Sequence, residues 1–181
     1  FLFKLFLSNT GCIHWLDMRY SLLILLALIF GANVSLGQKG QSESTLKFEF
    51  LNGYWLATVK AQNGMASETY KLKYSSKEFS HLEVSEFHAY YKDYLLDRIS
   101  ISVDSIPHPL NNVSLEINSA KANGQFISSR RETAGSILHV KSNAFEELGN
   151  HKTKLIIVVE DQKHVAWLTT DNNYSAIVKL K

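Results

Sequence analysis

The chain has 181 residues, 19 basic and 17 acidic side chains, a formal net charge of +2 and one cysteine. So even a balance gives no strong electrostatic pull on nucleic acid or on an anionic membrane. The lone Cys12 provides no disulfide pair and no set of thiolates for a metal.

Residues 1–17 contain no Met and precede a better start at Met18. They read as an over-extended gene start or as part of a longer leader, and stay out of fold reasoning. Residues 18–37 have the three parts of a secretory signal. Arg19 supplies the cation, Leu22–Phe30 the apolar core, and Ser35 and Gly37 the small residues a signal peptidase needs. The core is nine residues long, well short of the roughly 20 that span a membrane. Cleavage is therefore expected after about Gly37, giving a secreted or periplasmic product with no stable membrane span. No cysteine follows the apolar core, so no bacterial lipid anchor is expected. The mature chain, about 140 residues, suits one domain. Removing Lys4, Arg19 and Asp17 with the leader brings its net charge to about +1.

Residues 38–45 are small and polar and read as a flexible start, with a single β-rich domain over 46–181. Lys47–Leu51 alternates. Tyr54–Gln62 and Met65–Tyr74 flank Asn63-Gly64, which reads as a hairpin turn because both residues tolerate positive φ. Residues 76–95 read as a helix, with Val84, Phe87, Tyr91 and Leu95 at helical spacing and Ser75-Ser76-Lys77-Glu78 at capping-box spacing. A strand through His81–Ser85 is the alternative. Ile99–Val103 and Val113–Ile117 alternate strictly, and Ser136–Val140 is a further strand candidate. Pro107-His108-Pro109 holds both prolines and predicts a stiff, exposed connection. Asn143–Gly149 predicts one helical turn. Leu155–Val159 is a continuous apolar run, expected of a strand covered on both faces. With His164–Thr170 and Tyr174–Leu180 it predicts a three-strand meander. Together these elements predict a mainly β fold, a small antiparallel β-sandwich with one helix near 76–95.

Chemistry-bearing motifs are sparse. There is no Gly-x-Ser-x-Gly elbow, phosphate-binding glycine loop or His-Glu-x-x-His. Ser136 and His139 would face opposite sides of a strand. His81, Glu83, Glu86 and His88 are metal-ligand types, but neither a helix nor a strand gathers three of them. Arg130-Arg131 reads as a solvated loop. No catalytic residue, metal site or cofactor is predicted, which weighs against an enzyme and leaves open one assembled from residues distant in sequence. The densest aromatic cluster is Phe87, Tyr90, Tyr91 and Tyr94. Such rings form a core or stack on a ligand, and with Trp55 they are the candidate ligand-binding residues.

Gly53-Tyr54-Trp55 resembles the Gly-x-Trp that opens lipocalin barrels. The resemblance implies an alternative fold, a lipocalin-like β-barrel carrying a small apolar ligand. Two functions are therefore expected: a non-enzymatic module binding an unknown protein or glycan partner in the cell envelope or outside, or such a carrier.

Overall fold

Strands β1 (Glu43–Leu51) and β2 (Tyr54–Gln62) form an antiparallel hairpin. Alternation puts Leu46, Phe48, Trp55, Ala57 and Val59 on one buried face. The turn is Asn52-Gly53, with φ of 54° and 85°, the doubly positive conformation that a two-residue hairpin favours. The structure, a computed structural model, describes residues 42–74, 83–131 and 135–180. Within them β1 starts at Glu43, three residues before the expected start of the domain at 46. Glu43 is already paired with Lys152 in the sheet and through a 2.7 Å ion pair.

The second Asn-Gly behaves differently. Asn63-Gly64 opens helix α1 (Asn63–Lys73) instead of turning a hairpin. The reason lies in the residues that follow. Met65, Ala66, Thr69 and Tyr70 share one helical face and are the ones buried. A strand would have split them between two faces. Helix α2 (Val84–Arg98) matches the later part of the helix expected over 76–95; it begins only at Val84, because Glu83 is extended, and it runs three residues further. The Ser75–Glu78 cap lies outside the described residues. Glu83 precedes the helix, and its backbone N–H donates to the Glu86 carboxylate at 3.3 Å.

Next come β3 (Ile99–Val103), β4 (Ile106–Pro107), β5 (Leu110–Ile117), β6 (Lys121–Ser128), β7 (Ile137–Ser142), β8 (Lys152–Val159), β9 (Gln162–Leu168) and β10 (Ser175–Lys179). One sheet has the order β5-β6-β2-β1-β8-β9 and the other β10-β7-β3-β4. All pairs are antiparallel except β1 with β8. The fold is thus mainly β, with two open sheets in a sandwich-like arrangement and a second helix beyond the one expected. The lipocalin-like barrel does not form, because neither sheet closes on itself. Gly53 serves the hairpin turn, and Trp55 packs on Phe50 with ring centres 5.1 Å apart.

The predicted meander is corrected at its third strand. β8 and β9 pair, but β10 pairs with β7 in the other sheet. A 3-10 turn at Thr170–Asn172 and two left-handed residues, Asn173 and Tyr174, redirect the chain. The Asn172 amide donates to the Trp167 carbonyl (2.6 Å) and accepts from the Thr169 N–H (3.0 Å), capping the end of β9. Tyr174 then sinks into the core, and its carbonyl accepts the Ser142 N–H at 2.9 Å. Covering of β8 on both faces is also corrected. Leu155, Ile157 and Val159 are buried, but Ile156 and Val158 stay partly exposed on the sheet's outer side. A 3-10 turn at Glu146–Leu148 fills the predicted helical turn, with the Asn143 amide donating to Glu146 at 2.8 Å.

Helix α2 packs where the sheet offers small residues. Tyr91, Tyr94 and Leu95 form its buried face. Tyr91 donates a 2.8 Å hydrogen bond to the Ala122 carbonyl, and Leu95 lies over Gly124 of β6. At the parallel seam between β1 and β8, His151 is 2% exposed. Its Nδ1 is 2.9 Å from Ser42 Oγ, and its Nε2 is 3.1 Å from Ser44 Oγ and 3.2 Å from Thr153 Oγ1.

Candidate functional site

The two helices bring their aromatic residues together. Tyr70 and Tyr74, one turn apart at the end of α1, stack with centres 4.4 Å apart. Tyr90 of α2 meets Tyr70 edge-on at 4.9 Å and Tyr74 at 5.9 Å. Tyr94 continues the row 5.8 Å from Tyr90. Edge-to-face and offset contacts at these spacings are the favoured geometries of aromatic pairs. The Tyr94 hydroxyl accepts the backbone N–H of Phe145, which fixes the 3-10 turn against the helix.

An open cleft of about 400 Å³ lies beside this row, with Tyr74, Tyr90 and Tyr94 in its wall. Thr69, Leu72 and Lys73 line it from α1, Asp93, Asp97 and Arg98 from α2, and Glu147 from the 3-10 turn. Both cations are engaged with rings. Lys73 Nζ is 5.4 Å from the centres of Tyr74 and Tyr90, and Arg98 is 5.4 Å from that of Tyr94. Arg98 also pairs with Glu146 at 2.7 Å and Glu147 at 3.6 Å. Asp93 pairs with Lys92 at 3.2 Å and is well exposed. Burial holds the Tyr90 hydroxyl above the usual tyrosine range, outweighing a hydrogen bond with Thr69. Burial also raises Tyr94, against the Phe145 hydrogen bond. These phenols therefore stay protonated and keep a donor.

The structure separates the predicted ligand-binding residues. Trp55 is 1% exposed and Tyr91 0%, so both belong to the core. Burial drives the Tyr91 hydroxyl far above its ordinary value. Tyr90 and Tyr94 reach the cleft. Phe87 lines a separate apolar depression with Val84, His88, Asn63 and Ile117. Sequence reasoning missed Tyr74, Lys73 and Glu147. Tyr70 and Tyr74, four apart, were a usable signal once that stretch is read as helix instead of strand.

Other predicted candidates do not assemble. His81 lies outside the described residues, and Glu83, Glu86 and His88 do not converge. Among the described residues no group of three or more His, Cys, Asp or Glu side chains could hold a metal. Arg130 and Arg131 are exposed. His108, expected to be exposed, is 2% exposed instead. The short strand β4 pairs with β3, and the next N–H, that of His108, bonds the Ile101 carbonyl at 3.0 Å, drawing the ring inward. No helix among the described residues is long and apolar enough to cross a membrane. A scan against protein-family models gives no match, and a search of curated proteins finds no relative.

Proposed function

We propose that the chain is an exported, non-enzymatic binding module that takes a glycan in the tyrosine-lined cleft of α1 and α2. The observation that carries the reading is the row Tyr74, Tyr90, Tyr94 beside the carboxylates of Asp93 and Asp97. Ring faces cover the apolar side of a sugar, while carboxylates accept from its hydroxyls. The cleft has three carboxylates and two cations, and both cations already face rings. That balance favours a neutral sugar over an acidic one. A site of this size, open on one side, suits a short stretch of a chain-like ligand. Phe48, Trp55 and Phe126 fill the interior, which favours a surface site over the chamber of a carrier. Export rests on Arg19, the Leu22–Phe30 core and the small residues at 35 and 37.

Calorimetric titration with neutral hexasaccharides of β-glucan and chitin tests the reading. Binding of at least one is expected, with affinity falling about tenfold in Tyr90→Ala as one ring contact is lost. Absence of binding by both sugars, or unchanged affinity in a folded Tyr90→Ala variant, refutes it.

A further inference from the structure

The outer face of the four-stranded sheet is built from different chemistry. Ile99, Ile101, Val103, Leu138 and Val140 turn inward to the core, so alternation points Ser100, Ser102, His139 and Lys141 outward. Register aligns these groups across strands. Ser175, Lys141 and Ser100 form one row through β10, β7 and β3. Ile177, His139, Ser102 and Pro107 form the next, about 7 Å further along the strands. A groove of about 420 Å³ runs over both rows.

The lining of this groove contains Lys141, His139 and three serines but no Asp or Glu. Lys141 is exposed and has no ion pair among the described residues. The Ser175 hydroxyl donates to the Asn172 carbonyl at 2.8 Å, so it meets a ligand as an acceptor. Ile177, 67% exposed, and Pro107 give the second row apolar ends. One ammonium flanked by hydroxyls matches a singly charged oxyanion in a ligand that also carries hydroxyls. This differs from the aromatic cleft, where carboxylates outnumber cations.

We propose that the groove is a second, charge-selective subsite that holds carboxylate groups of an acidic polysaccharide. The three serine hydroxyls beside the ammonium favour a hydroxyl-rich sugar chain over an acidic peptide. The charge selectivity itself rests only on the groove.

The test is calorimetric titration of the full domain with hexagalacturonate, a neutral β-glucan hexasaccharide and poly-L-glutamate, using wild type, Lys141→Glu and Tyr90→Ala. Hexagalacturonate is expected to bind, and to lose about tenfold or more in affinity in Lys141→Glu. Neutral-sugar binding should be unchanged in that variant. Amide shifts at Ser100, Ser102 and His139 should mark the acidic sugar's position. Lys141 points away from the core, and a matching urea midpoint for Lys141→Glu checks that the variant is folded. Failure of the neutral sugar alone sinks the cleft reading and leaves the groove supported. The groove proposal is overturned if hexagalacturonate does not bind or binds Lys141→Glu equally well. It is also overturned if poly-L-glutamate binds more tightly.

Discussion

His151 should make the domain sensitive to mild acid, and the size of the effect follows from its surroundings. The ring is buried between three hydroxyls at the seam of β1 and β8, with Phe145 edge-on at 5.3 Å. Burial lowers its pKa to about 4, against the opposing pull of a hydrogen bond to the Ser42 backbone and of the Glu43 carboxylate. The unfolded chain binds a proton on this ring below about pH 6.5, whereas the folded chain does so only near pH 4. The unfolded state therefore carries the extra proton in that window, so stability is full above about pH 6.5 and falls toward pH 4. Between pH 7 and pH 5 the loss should be about 1–2 kcal/mol. Because among the described residues β1–β8 is the one pairing that joins β5-β6-β2-β1 to β8-β9, the weakening acts on the whole six-stranded sheet. Urea unfolding followed by tryptophan fluorescence at the two pH values measures it, with His151→Gln as the comparison. The variant should lose about 1–2 kcal/mol at pH 7, from hydroxyls left without partners, and should lose most of the difference between pH 7 and pH 5. An equal pH dependence in wild type and variant would refute the reasoning.

Two further outcomes are expected. Gly124→Ala should destabilise the domain by about 1–3 kcal/mol, through overpacking between α2 and β6. Its new Cβ would lie 2.8 Å from Phe126 Cε2 and 3.1 Å from Leu95 Cδ1. A urea midpoint equal to that of wild type contradicts that packing account. For export, the intact mass of protein recovered from outside the cytoplasm should match a chain beginning at Gln38, and retention of residues 18–37 would count against the signal reading.

What the sequence determines here is mostly local. Strict alternation at Ile99–Val103 and the apolar run at Leu155–Val159 located strands, because a half-buried strand leaves a period-two imprint. The spacing of Val84, Phe87, Tyr91 and Leu95 located α2 for the same kind of reason. Local chemistry was less decisive where two outcomes share one signal. Asn52-Gly53 and Asn63-Gly64 are the same dipeptide, yet one turns a hairpin and the other begins a helix. The difference lies in which faces their neighbours can bury. Partner choice was legible for neighbours such as β8 and β9, but not for strands distant in the chain. β10 follows β9 but pairs with β7, and β8 pairs in parallel with β1 across about a hundred intervening residues. The site shows the same division. Tyr90 and Tyr94 were legible as a cluster, but Trp55 and Tyr91 are of the same residue types and lie in the core. Composition cannot say which rings face the interior. Only the docking of α2 on Ala122 and Gly124, and of α1 beside it, decides which tyrosines a ligand can reach.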